Sequence, residues 1–392
     1  MKARPPRLLR WDIFCNVVDN YGDIGVCWRL ARQLAAEHGL RVRLWVDNLA
    51  SLQKLCPQLD PRRDQQTLRG VDIRAWRKPF VDAQPAQVVV EGFGCALPEN
   101  YLDAMSSADP KPVWVNLEYL SAEQWVGEHH ALPSPHPRLP LTKYFFFPGF
   151  TEKTGGLLRE RDLLGKRDAF LHDINSDSRA SAQFWGSIGI VPPIEKTLKI
   201  SLFAYARDAE NAALPGLLDA WAASDQAVLC LVPEGGIQAN IAAYFGVQKM
   251  RVGETQQQGN LTVQAIPFVA QEEYDKLLWA CDCNFVRGED SFVRAQWAGK
   301  PMVWQIYPQH EDAHLKKLDA FLTLYCAASG EAVSPVTKLW HAWNQGSEVG
   351  AAWSGYWRQQ NMLLRHAENW CKHLQKHADL ATELVLFCEK KL

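Results

Sequence analysis

The chain has no CxxC pair, no HExxH signature, no short-period repeat and no low-complexity tract. Its formal charge is only −2 over 392 residues, which gives no general attraction to nucleic acid or to an anionic membrane. Ten cysteines are present but scattered. Cys281 and Cys283 alone stand close, and at that spacing in one strand they would share a face. Buried reduced thiols are therefore expected, not a metal or redox centre. The basic opening "MKARPPRLLR" resembles the first part of a signal peptide, yet Asp12 and Asp19 follow and no long apolar run does. A cytoplasmic location is the expectation. No basic amphipathic helix marks a membrane acceptor.

What is present is a large apolar reserve. Hydrophobic residues make up 47% of the chain, enough for about two domains at roughly 100–200 residues each. In the first half "RVRLWVDN", "VDIRAW", "AQVVVEGFG" and "KPVWVNLEYL" are short strand-like runs, most running out in Asn, Asp, Glu or Gly. Such runs separated by helical stretches predict a parallel sheet with crossover helices. A Pro- and Gly-rich region follows, "LPSPHPRLP" and "FFFPGFTEKTGGLLRE", to which no element is assigned. After the linker-like "GIVPPIEKT" the pattern restarts with "TLKISLFAY", "AVLCLVPEGG", "LTVQAIPFV", "CDCNFVRGED" and "KPMVWQIYP". The expected division is 1–190, 191–365 and a C-terminal helix at 366–392 packing across the domains. Trp340, Trp343, Trp353 and Trp357 recur at spacings that bury one helical face, so core packing is expected of them.

Two polar turns carry the chemistry. Trp11 to Val18 reads as a short buried strand, and Ile24, Trp28, Leu30, Ala31 and Leu34 recur at helical spacing. Between them "DNYGD" crowds Asp19 and Asp23 around Asn20, Tyr21 and Gly22. On residues alone this reads equally as an Asn/Asp/Gly turn capping a helix and as a catalytic turn. Paired acids also suit magnesium, although a metal-free site is favoured. In the second half, Phe285 and Val286 end a strand, Arg287 to Ser291 form a turn, and Phe292 to Trp297 begin a helix stopped by Gly299, Lys300 and Pro301. Asp290 or Ser291 suits the N-cap. Exposed amides at a helix start favour anions, so Arg287 and Ser291 are placed to hold a diphosphate. The plainer reading is that the acids only cap the helix. His310 and His314 stand four apart in "QHEDAHLKK", which reads as a solvated helix start before a zinc pair.

Polar turns at the strand ends of two α/β domains describe a GT-B glycosyltransferase, two Rossmann-like domains facing a central cleft. "WDIFCNVVDNYGDIGVCWRLARQL", "FFFPGFTEKTGGL" and "RGEDSFVRAQWAGKP" further resemble the EarP family, the protein-arginine rhamnosyltransferases of bacterial elongation factor P. The resemblance extends over nearly the whole chain. It implies inverting transfer of rhamnose from TDP-β-L-rhamnose, a substrate and not a cofactor, to one arginine of elongation factor P. The modification activates that factor for polyproline translation. It also implies that the nucleotide sits mainly on the second domain and the acceptor mainly on the first.

Carried over residue by residue, the resemblance makes Asp23 the general base, Asp19 its support or that of the guanidinium, and Glu289 a third essential carboxylate. Phe268 would stack on thymine, with Gln271 and Tyr205 holding the nucleotide. Arg287, Gly288, Asp290 and Ser291 would form the donor pocket, with Phe203 on the sugar side. Asn20, Tyr21 and Gly22 would approach the donor from the first turn. No metal is expected. Two other readings stand beside this one. A similar glycosyltransferase would act on a small molecule or an envelope lipid, whereas a noncatalytic nucleotide-sugar-dependent partner of a translation factor would not need all three acids.

Overall fold

The computed structural model describes residues 9–18, 21–194, 196–206, 213–308, 313–327 and 333–392. Two compact units emerge, Met1–Arg161 with Lys376–Leu392, and Asp162–Gln375. The break thus precedes the expected 190/191 boundary, and the tail divides between the units. Where one long C-terminal helix is expected there are two, Gln360–Leu374 and Leu380–Glu389. Asp379 separates them by capping the second, its carboxylate accepting the Thr382 amide at 3.1 Å. No helix among the described residues is long and apolar enough to cross a membrane.

The strands of the first unit are β1 (Arg10–Cys15), β2 (Arg41–Val46), β3 (Gln65–Leu68), β4 (Val71–Ala75), β5 (Val88–Gly92), β6 (Val113–Leu117), β7 (Pro133–Pro135) and β8 (Thr142–Phe146). They lie in the order β3-β4-β2-β1-β5-β6-β8-β7. All neighbours pair parallel except β3 and β7, which add antiparallel at the two edges. Strand order reverses between β1 and β5, the switch point where ligands of open α/β sheets gather. One face of this sheet buries Phe14, Trp45, Val89, Tyr101 and Trp114. The rings of Phe14 and Trp45 stack at 5.8 Å, and each such burial contributes about 1.5–3 kcal/mol. Asp12 is buried beneath them, held by two Arg43 bonds of 2.6 Å and by the Tyr101 hydroxyl. On the other side, the helix Gly22–Glu37 approaches β5 closely. A Cβ at Gly92 would stand 2.8 Å from the Phe14 carbonyl and 3.0 Å from Cys27 Sγ, so only glycine fits there.

The second unit repeats the plan with β9 (Leu198–Leu202), β10 (Val228–Pro233), β11 (Thr255–Gln258), β12 (Leu261–Ile266), β13 (Cys283–Arg287) and β14 (Met302–Gln305). Their order is β11-β12-β10-β9-β13-β14, parallel except for the edge strand β11. The switch point lies between β9 and β13. Trp340 and Trp343 are fully buried and Trp353 nearly so; Trp343 packs on Phe285, Trp353 on Trp221 and Trp340 on Phe321, as core residues. All ten cysteines are free, nine of them buried and Cys95 half-buried. Cys281 and Cys283 do not share a strand, because Cys281 is the C-cap of the helix Gln271–Ala280 and β13 begins only at Cys283.

Candidate functional site

In the first unit the carboxyl end of β1 leads into the helix Gly22–Glu37. Asp23 occupies that helix's first turn and is buried, and its carboxylate accepts the Val18 amide at 2.9 Å. An acid there also gains from the positive end of the helix dipole. Tyr21 is the N-cap residue but makes no side-chain cap, while its carbonyl accepts the Gly25 amide at 2.9 Å. Tyr21 and Gly22 are half-buried. Asp19 and Asn20 lie outside the described residues. Behind the turn, the Cys15 thiol is pushed well up by its hydrogen bond to Cys27, by burial and by the negative charge of Asp23, so it remains neutral.

The second unit brings most of its expected residues into one constellation. β9 and β13 are adjacent, so Phe203 and Tyr205, just past the end of β9, meet Arg287 at the end of β13. The guanidinium carbon of Arg287 stands 4.5 Å from the Phe203 ring and 4.3 Å from the Tyr205 ring. Both rings therefore orient a cation. After Arg287 the backbone turns at Gly288 with φ +59°, a left-handed conformation that favours glycine. The Trp304 indole donates to the Gly288 carbonyl at 2.8 Å and fixes this turn.

Ser291 does not cap the following helix. Its hydroxyl donates to the Arg287 carbonyl and accepts the Arg287 amide at 3.2 Å, closing the loop on itself. The N-cap position of the helix Asp290–Ala298 belongs to Glu289, which makes no side-chain cap bond. Capping thus does not account for the acids of "RGEDS". Gln271, in the first turn of the helix Gln271–Ala280, donates its amide to Asp290 at 3.2 Å. Phe268, half-buried, stands between the end of β12 and that helix. Eight expected residues, Phe203, Tyr205, Gln271, Arg287, Gly288, Glu289, Asp290 and Ser291, thus form one loop system, while Phe268 lies on the approach to Gln271.

Sequence reading missed the supports of this system. The Gln305 side chain accepts the Tyr205 amide at 2.8 Å, Tyr307 meets the Tyr205 ring edge-on at 5.4 Å, and Tyr274 meets Phe203 at 5.7 Å. Burial drives the Tyr274 phenol well above its ordinary pKa, which the Ser291 hydroxyl and the Arg287 charge offset in part. Asp275 and Arg294 form a buried two-pronged pair at 2.9 and 2.7 Å. That pair ties the helix Gln271–Ala280 to the helix Asp290–Ala298. A glutamine inside the apolar run "VWQIYP" was the legible signal for Gln305. Among the described residues no three His, Cys, Asp or Glu side chains gather as a metal site. His310 lies outside those residues, and the adjacent helix starts at Ala313.

Known proteins are similar to this chain over almost its whole length. The model of the family described as Elongation-Factor P (EF-P) rhamnosyltransferase EarP matches residues 11–389. A protein-arginine rhamnosyltransferase of Pseudomonas putida is 50% identical over 383 residues, covering 97% of this chain and 99% of the relative. A solved structure described as the structural basis for EarP-mediated arginine glycosylation of translation elongation factor EF-P superimposes with a TM-score of 0.69 at 38% identity, covering 98% of this chain and all of that one. The glycosyltransferase VinC, solved with DTDP, shares the fold with a TM-score of 0.53 at 12% identity over 97% of this chain and 100% of its own. The fold is thus GT-B.

Proposed function

This chain belongs to the family of elongation factor P rhamnosyltransferases EarP, and from that premise we propose that it transfers rhamnose from TDP-β-L-rhamnose, with inversion, to an arginine side chain of elongation factor P. The supporting observation is the seating of Arg287 against Phe203 and Tyr205 beside a helix start. A guanidinium so oriented offers two N–H groups to a diphosphate, with the amides at the helix start adding to the same field. This supplies metal-free charge compensation for the leaving group. Phe268 and Gln271 then take the thymidine end, with Asp290 and Ser291 shaping the loop.

The acceptor chemistry explains the acids of the first unit. A guanidinium holds its proton to a pKa above about 12, whereas an ordinary aspartate lies near 3.9, so deprotonation before attack is excluded. In the proposed step an acceptor nitrogen bonds to the anomeric carbon while the bond from that carbon to the diphosphate oxygen breaks. The electron pair leaves with TDP. The proton passes to Asp23 as the nitrogen becomes acidic in the transition state. Asp19 orients the remaining guanidinium nitrogens, and Glu289 faces the sugar, where developing positive charge favours a carboxylate. The enzyme acts in the cytoplasm on a soluble protein.

Intact-mass analysis of elongation factor P, after incubation with TDP-rhamnose and this protein, tests the reading. One added rhamnosyl group, located on arginine by fragmentation, is expected. No mass change under conditions in which TDP-rhamnose binds would overturn the protein acceptor. Full activity in the presence of a chelator is expected as well.

A further inference from the structure

The amino ends of the strands of the second sheet carry a feature that the transfer reaction does not use. Lys196, Lys199, Asp282 and Lys300 all lie in or beside the segments that enter β9, β13 and β14. They converge on a cavity of about 260 Å³ that Trp357 and Asn361 also line. The same four line a neighbouring cavity of about 750 Å³ together with Ser178 and Ser181. Asp282 is already engaged, since one of its oxygens accepts both the Lys199 ammonium at 2.9 Å and the Lys199 amide at 2.8 Å. Among the described residues neither Lys196 nor Lys300 has a carboxylate partner. Lys196 is held at φ +73°, a left-handed conformation costly for a residue with a side chain. The indole Nε1–H of Trp357 is buried and has no hydrogen-bond acceptor among the described residues.

We propose that this cavity is a second binding site, for a small phosphate-bearing anion carrying more than one negative charge. Three lysines and one carboxylate, itself taken up by Lys199, leave the cavity wall with a net positive charge that favours an anion. A bound dianion offsets that charge, and Asn361, which lines the same wall, supplies an uncharged donor. The site is distinct from the Arg287 constellation. β9 is 5 residues long, so its first and last residues are about 13 Å apart at 3.3 Å per residue. Lys199 stands at one end and Phe203 just beyond the other.

Calorimetric titration of the full chain with inorganic pyrophosphate tests the proposal. Because pyrophosphate would also meet Arg287, the titration is made in an Arg287→Gln background. Binding is expected to persist there, to fall at least about tenfold when Lys196→Gln and Lys300→Gln are added, and to raise the unfolding temperature in proportion to occupancy. Hydrogen exchange on the unsubstituted chain serves as the second readout and does not depend on the lysine variants folding. Protection by pyrophosphate is expected at 196–201 and 357–361. Binding abolished by Arg287→Gln alone, or unchanged by the two lysine substitutions, would overturn the site, as would exchange protection confined to 287–291.

Discussion

Arg287 sits with its guanidinium carbon 4.3 Å from the centre of the Tyr205 ring, and the Tyr205 backbone is itself pinned by Gln305 at 2.8 Å. The cation is therefore oriented before any ligand arrives. Replacing Tyr205 by leucine keeps bulk but removes the ring face. A cation–π contact contributes about 0.5–2 kcal/mol, so affinity for TDP should fall roughly two- to thirtyfold with an unchanged unfolding temperature. Calorimetric titration with TDP measures this. Equal affinity in the variant would show that the ring does not position Arg287 for the nucleotide.

The buried pair Asp275–Arg294 predicts a stability effect with its own control. Both side chains are nearly inaccessible, at 5% and 2% exposure, so neither charge has water to replace a lost partner. Arg294→Met alone should destabilise the second unit by about 3–5 kcal/mol. Adding Asp275→Leu removes the stranded carboxylate and should recover much of that loss. Denaturant titration of the single and double variants distinguishes this from simple repacking, in which the two losses would add.

Most of the architecture was legible because ten strands alternate or run apolar with turn residues behind them. The segments missed were β3, β7, β8 and β11. Three of these are edge strands, and "QQTL" and "TQQQ" carry almost no apolar pattern because an edge strand paired on one side buries little. β8 was hidden in "TKYFFF" by the prolines around it. Acids and glycines predicted two polar turns, which the structure places after β1 and β13. The helix cap was misjudged because Ser291 bonds backward to Arg287 instead of forward to helix amides. Supports such as Tyr274 and Asp275 come from a helix many residues away from that loop in sequence, a juxtaposition only the sheet order creates.

His366 gives the second unit an acid-sensitive element. Only 4% of it is exposed, its Nε2 is buried without a partner among the described residues, and the Tyr325 ring stands 4.3 Å away. Burial lowers its pKa from 6.5 to about 4. A folded-state pKa below the unfolded one means that the unfolded chain binds the extra proton. The stabilisation is full above pH 6.5 and is lost as pH falls from 6.5 toward 4. Between about pH 7 and pH 5 it should amount to roughly 2 kcal/mol. His366→Leu should flatten the stability profile by that amount in chemical denaturation at the two pH values. An unchanged slope would show that other groups set the acid response.

Asp23→Asn isolates the proposed proton transfer from the fold. The asparagine side-chain oxygen can still accept the Val18 amide that the carboxylate holds at 2.9 Å, so the turn and the helix start should survive. Loss of the negative charge beside the helix dipole costs about 0.3–1 kcal/mol, small beside the stability of a typical domain. TDP-rhamnose binding, assigned to the second unit, should not change. Transfer to elongation factor P should fall about 10²–10⁴-fold, because an amide cannot take the proton released as the C–N bond forms. Single-turnover assays at saturating donor separate this loss from weaker acceptor docking. A rate that recovers fully with excess elongation factor P would make Asp23 a docking residue. A near-normal rate at all acceptor concentrations would leave the first turn a structural cap, and the proton acceptor would have to be sought elsewhere.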